Sequence, residues 1–420
     1  MKVLEKKLEI SDITDLFSAG CKNEEKIGME YERLPINRET KQAVPYAGCY
    51  GVSEFLRTFA REHNWDYIFD NDNIIGLKKL HDTITLEPGC QIELSIEPEF
   101  TVQKLKEKID SIDLKFSEIL DIFNMDLLAY GVYPNTTYHN IQIQPKRRYH
   151  VMANYLWGIL SDVMMRETAG IQVGIDFKNE EDAMYKFYIA NLLSPFITAV
   201  FANSNIRGGV DTSYKSFRAL AWLNTDNDRC GFATVLSKNL EFKDYVYSVL
   251  NSPMIFIERN NELIEINGKI NFTQFMQDGY EGFEATLDDF KLHANLFFPD
   301  VRLRKFIEIR NHDCVGNDLQ YAVPAFYKGI MYDKNALSSV ENMLGKISSV
   351  DISNLRHEVP KSGLDTKING YKVKDISKEL FDISYSSLKS KNDSDREFLN
   401  PVISMIKKGV SPCDEVKTLL

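Results

Sequence analysis

Glutamates at alternate positions are the first residues able to do chemistry. The stretch KIGMEYERLP, residues 26–35, sets Glu30 and Glu32 two apart, with Met29 and Tyr31 between and before them. In an extended strand successive side chains point to opposite faces, so these two acids stand side by side. Neighbouring carboxylates repel unless water screens them or a cation lies between them. Three further segments repeat the pattern. In EPGCQIELSI, Gln91, Glu93 and Ser95 share a face opposite Ile92, Leu94 and Ile96. In IQVGIDF, Gln172, Gly174 and Asp176 oppose Ile171, Val173 and Ile175, and in RKFIEIRN, Phe306, Glu308 and Arg310 oppose Ile307 and Ile309.

Any one of these strands reads equally well as the wet face of an antiparallel sheet, where such alternation is routine. Together they gather Glu30, Glu32, Glu93 and Glu308 from distant parts of the chain, which points to a divalent cation. Mg²⁺ suits hard oxygen ligands and keeps substrate phosphates in its shell. A phosphate site also needs fixed positive charge. QPKRRYH offers Lys146, Arg147 and Arg148, and DVRLRKFIEIR offers Arg302, Arg304, Lys305 and Arg310. Either cluster alone is also compatible with a solvated basic patch, except that Arg310 shares a strand face with Glu308. No GxxxxGK[ST] or GxGxxG loop occurs, so neither of the common glycine-rich phosphate loops is expected.

A third dense region, RGGVDTSYKSFRALAWLNTDNDRCGF (207–232), contains Arg207, Arg218, Trp222, Asp226, Asp228 and Arg229. An arginine there can grip a carboxylate through two parallel hydrogen bonds. Trp222 is either a pocket wall or a core residue. The seven histidines are scattered, without an HExxH motif.

The elements that must position these residues follow from periodicity. Val102, Leu105, Ile109, Ile112, Phe116, Ile119 and Phe123 recur every three or four residues and predict a helix from Thr101 to Phe123. Asn179 followed by Glu180, Glu181 and Asp182 starts another, with a kink or break expected near Pro195. Shorter helices are expected at 52–62 and 287–296, and the last ninety residues read as helices joined by polar turns. Strands dispersed among helices predict an α+β fold with an antiparallel or mixed sheet.

Composition limits the function. Net charge is −11 over 420 residues, 44% of them hydrophobic, and there is no basic tract, which disfavours nucleic acid or an anionic membrane as partner. The longest apolar run, ANLLSPFITAVFA, is too short to span a bilayer. Six cysteines without a CxxC pair, and an N-terminus without an apolar signal core, lead to the expectation of a cytoplasmic protein with reduced thiols.

Six segments in order, IGMEYERL, LEPGCQIELS, PKRRYHVMANY, IQVGIDF, FRALAWLNTDNDRCG and FPDVRLRKFIEIR, resemble the successive motifs of the plant and proteobacterial type of glutamate–cysteine ligase. The resemblance runs from about residue 20 to 335. It implies one catalytic domain over 1–335, a helical extension over 336–420, and a curved glutamine-synthetase-like sheet forming a funnel with helices outside. It further implies that ATP and Mg²⁺ activate L-glutamate for attack by L-cysteine. By motif, Glu30, Glu32, Glu93 and Glu308 would hold metal, with Gln91 and Gln172 extending the polar shell. Arg304 and Arg310, with Glu93, would serve the transferring phosphate, and Lys146 and Arg148 would join those arginines in holding the nucleotide. Arg218, Trp222, Gln172 and Arg148 would receive substrate. Three departures stand out. Ile255 replaces an aromatic residue in SPMIFIE, Cys90 replaces a glycine, and Asn311 replaces another; the first bears on the acceptor pocket. A related ligase with another acceptor amine, or a catalytically silent sensor on the same fold, are the alternative readings.

Overall fold

The computed structural model describes residues 7–415. Its centre is a nine-stranded sheet whose strand pairs are all antiparallel. The strands are β1 (Ile27–Asn37), β2 (Asp66–Asp70), β3 (Asn73–Lys79), β4 (Asp82–Leu86), β5 (Ile92–Glu99), β6 (Met125–Leu128), β7 (Gly170–Ile175), β8 (Val301–Leu303) and β9 (Ile307–Asp313). Their order is β8-β9-β7-β1-β5-β4-β3-β2, with β6 also paired to β1. Strands β1 and β5, with Glu30, Glu32 and Glu93, are therefore neighbours, and only β7 separates them from β9 with Glu308, although some 280 residues of chain separate Glu30 from Glu308.

The alternation read from sequence is the alternation observed. Ile92, Leu94, Ile171, Val173, Ile175 and Ile309 are wholly buried on one face. Among the helices packed on the sheet are α1 (Val102–Leu120), α2 (Glu180–Val200) and α3 (Ala322–Met331). Thr101 caps α1 by accepting from the Lys104 N–H, and Asn179 caps α2 by accepting from the Asp182 N–H. The break expected at Pro195 does not occur, because α2 runs through it without interruption. From Ile189 to Phe201 this helix is enclosed on every side, and surrounding packing outweighs the local cost of one proline.

The C-terminal region is tied to the helices that pack on the sheet. Lys328 on α3 pairs with Asp393 at 2.6 Å and Asp395 at 2.5 Å. The Asp395 carboxylate also accepts from the Val102 and Gln103 N–H groups at 2.8 and 3.2 Å. A buried acid from the end of the chain thus caps the first turn of α1.

Candidate active site

Register sets the geometry of the polar face. Glu32 lies opposite Glu93, and Glu93 opposite Thr85. Glu30 lies between Ser95 and Gln172. Glu308 faces Gly174, and Arg302 lies opposite Glu308 across the β8–β9 pair. The side chains extend these rows into one hydrogen-bonded chain. Glu32 accepts from the Gly170 N–H at 2.6 Å and from Gln172 Nε2 at 2.9 Å. Arg310 Nη1 donates to Gln172 Oε1 at 2.6 Å and to Glu308 at 3.1 Å. Arg302 completes it with Nε and Nη2 donating to Glu308 at 2.5 and 3.1 Å. Apart from that chain, Glu93 accepts from Thr85 and Ser95 hydroxyls at 2.9 and 3.2 Å.

Over this face lies a cavity of about 360 Å³ lined by Glu30, Glu32, Gln91, Glu93, Lys146, Arg148, Gln172, Trp222, Arg304 and Arg310. Residues chosen from six separate segments therefore meet around one space. Glu308 and Arg218 stand just behind it, touching it through Arg310. The cavity wall also includes Thr85, Glu87, Tyr149, Met152, Met164 and Met165, none of which the motifs single out as site residues, together with Arg302 of the basic run. Arg302 had a legible signal, since it sits in the same arginine-rich run as Arg304. Of the basic run 146–148, Arg147 turns away to pair with Asp70 at 2.9 Å, while its neighbours face the cavity.

Charge is unevenly balanced across the face. Burial and the nearby Glu308 push the Glu30 carboxyl up to about 7. Burial, with Glu30, Glu87 and Glu32, raises Glu93 well above the ordinary carboxylate range, and burial with Glu87 raises Glu32. Burial alone would raise Glu308 too, but Arg302, Arg304 and Arg310 together hold it far below that range. Lys146 is brought down to about 8 by burial and by Arg148.

The hydrogen bonds of two of these residues add detail. Both Glu308 oxygens are engaged by arginines, so Glu308 orders the basic side of the cavity. Gln91 spends its amide on the Gly89 N–H and the Met165 and Thr168 carbonyls, holding backbone together beneath the cavity. Among the described residues no three Asp, Glu, His or Cys side chains converge to hold one ion. The donor chemistry of Glu30, Glu32 and Glu93 nonetheless fits a hard divalent cation. They offer only carboxylate oxygens, and a cation would relieve their repulsion while water and phosphate oxygens complete its shell.

Arg218 is buried, and its Nη2 donates to the Arg310 carbonyl at 3.0 Å. The Trp222 ring lies near both guanidiniums, 5.9 Å from Arg218 and 5.8 Å from Arg310. Arg218 Nε, Trp222 Nε1 and Arg148 Nε are buried without a hydrogen-bond partner among the described residues. Buried donors left unpaired at a cavity edge are what a polar ligand would satisfy. Of the departures, Ile255 is wholly buried away from this cavity. Cys90 sits at φ +67°, a left-handed conformation normally kept for glycine. Asn311 ties β9 to α2 by donating to the Ser194 carbonyl at 2.6 Å.

Comparison with known proteins gives a consistent result. A family model described as Glutamate-cysteine ligase family 2 (GCS2) matches residues 26–419. Glutamate–cysteine ligase A, chloroplastic, of Oryza sativa subsp. indica is 32% identical over 416 residues, 97% of this chain and 84% of the relative. The chloroplastic glutamate–cysteine ligase of Nicotiana tabacum is also 32% identical, covering 97% of this chain and 79% of its own length. Among solved structures, a glutamate–cysteine ligase from Francisella tularensis in complex with AMP superposes with a TM-score of 0.54. The two share 14% identity, covering 94% of this chain and 84% of that one, a likeness of fold. The expectation of a cytoplasmic protein does not stand, because these relatives are named as chloroplastic. Six unpaired cysteines suit any reducing compartment and do not single out the cytoplasm.

Proposed function

The chain belongs to glutamate–cysteine ligase family 2, and from that premise we propose how its cavity carries out the reaction. It is a ligase that joins the γ-carboxylate of glutamate to the amine of cysteine, giving γ-glutamylcysteine. An ionised carboxylate cannot lose oxide to an amine at neutral pH, so it must first gain a better leaving group. On our reading ATP supplies it: the γ-phosphoryl group passes to the γ-carboxylate of glutamate, leaving ADP. The cysteine amine then attacks the acyl carbon, the C–O bond to phosphate breaks, and phosphate departs.

The observation that carries this reading is the division of charge around one cavity. Glu30, Glu32 and Glu93 form its acidic floor, while Arg304 and Arg310, ordered by Glu308, line the same space. Mg²⁺ held by one or two of the carboxylates Glu30, Glu32 and Glu93, with water and phosphate oxygens completing its shell, would neutralise phosphate oxygens. Arg304 and Arg310 hold the phosphoryl group in flight, and Lys146 and Arg148 hold the rest of the triphosphate. Arg218 and Trp222, with Arg148, receive glutamate, and Gln172 fixes Arg310 and Glu32 relative to each other. The sheet with its polar face turned into the cavity acts as the wall of a funnel. The C-terminal helices 336–420 form an extension packed on the same catalytic unit, its residues 416–420 lying outside the described region.

Hydroxylamine tests the order of events. Supplied in place of cysteine, with ATP, Mg²⁺ and glutamate, it should yield γ-glutamyl hydroxamate with matching ADP and phosphate. AMP and pyrophosphate would instead reveal adenylation, and the reading of the arginine face would fail.

A further inference from the structure

Behind Arg218 lies a buried acid that the proposed chemistry does not use. Asp313, the last residue of β9, is 1% exposed. Its carboxylate accepts from the Ser204 hydroxyl at 2.6 Å, the Ser216 hydroxyl at 2.8 Å and the Asn203 N–H at 2.8 Å. Each of those hydroxyls is simultaneously an acceptor for the helix Phe217–Leu223, which carries Arg218 and Trp222. Ser204 Oγ takes the Arg218 N–H and Ser216 Oγ takes the Ala219 N–H, both at 3.0 Å.

A hydroxyl has one proton. Because Asp313 takes both protons, the lone pairs of both serines are turned to the helix's first turn. The same strand supplies Arg310, whose carbonyl receives the Arg218 guanidinium. Asp313 lies opposite Gly170 in register, and Gly170 is where the Arg218 guanidinium passes: a Cβ there would come within 2.5 Å of its Nη2. Space is equally closed behind Asp313, since a Cβ on Gly131 would meet its carboxyl carbon at 2.8 Å.

We propose that Asp313 is the positioning residue of the glutamate pocket, setting Arg218 and Trp222 through the two serine hydroxyls. The proposal rests on the assignment of Arg218 to substrate given above. Steady-state kinetics of purified full-length protein with the substitution D313N test it. The amide keeps the shape but its nitrogen donates, so one serine must turn its proton elsewhere and release a helix N–H. The Michaelis constant for glutamate should rise about 10-fold or more, as displacement of a positioning group does, with that for ATP within about twofold of the parent. A loss confined to thermal midpoint and yield, with unchanged Michaelis constants in the folded fraction, would assign Asp313 a purely structural role and overturn the proposal.

A cycle with R218K separates the two claims. If Asp313 acts through Arg218, adding D313N to R218K should change the affected constant less than about twofold; full additivity overturns the proposal. Should R218K raise the Michaelis constant for ATP in place of glutamate, the substrate assignment fails while the cycle still reports the link. If D313N does not fold, S216A gives the same readouts with a smaller rise, and no rise would overturn the proposal. S216T, which restores a hydroxyl, should recover the parent values.

Discussion

Burial and repulsion leave Glu30 with a carboxyl raised from 4.5 to about 7, and that single shift has a sign in stability. Between those two values the folded chain binds more protons than the unfolded one, so stability falls as pH climbs through the window. Glu308, held low by three arginines, contributes in the opposite sense, but its contribution is complete above the ordinary carboxylate range. The metal-free protein should therefore melt at a higher temperature near about pH 5 than near about pH 8. Mg²⁺ should raise the midpoint more at the higher pH, where Glu30 is ionised and able to bind it. E30Q should flatten the fall and shrink the effect of Mg²⁺. Calorimetry showing the same Mg²⁺ shift at both pH values, in parent and E30Q alike, would remove Glu30 from the cation site.

Strands β1, β5, β7 and β9 bring the acids together, and how they do so shows what a sequence can disclose. Period-two alternation was legible because one face is apolar, mostly Ile, Leu and Val with Met29 and Tyr31 on β1, while the other gathers the acids and amides. The register shift between Ile309 and His312 was not. No glycine or proline marks it, yet it turns Asn311 to α2 and brings Asp313 opposite Gly170. Pro195 misled for a related reason: local preference signalled a break that enclosure of α2 overrides. Arg302 could be read as one more surface base, since its pairing with Glu308 depends on a hairpin whose register the sequence does not state. The close passage at Gly170 yields a test. G170A would put a methyl 2.5 Å from Arg218 Nη2 and 2.8 Å from the His312 carbonyl. It should cost about 1–3 kcal/mol in stability, as overpacking does, and should raise the Michaelis constant for glutamate more than that for ATP. Equal effects on the two constants would mean that Arg218 does not depend on this contact.

At the scale of the molecule, Asp395 joins the end of the chain to α1 and to Lys328 on α3. D395A strips two helix N–H groups and a buried cation of a partner, although Lys328 keeps Asp393. A loss on the order of 3 kcal/mol is expected from denaturant unfolding, with Michaelis constants of the folded fraction unchanged; a shift in those constants would mean that the cap also governs the cavity. The sheet order carries a consequence for biogenesis. Strand β9 enters between β7 and β8, so during synthesis the β7 edge stands open until residue 313 has left the ribosome. Such an edge is a template for pairing with another chain, and pairings this distant in sequence form slowly. Until β9 arrives, Arg310 and the Glu308 that orders it are missing, so a nascent chain lacks part of the basic side of the phosphate site. Nucleotide can then stabilise only the finished sheet, and the interval before closure is when a chaperone has most to protect.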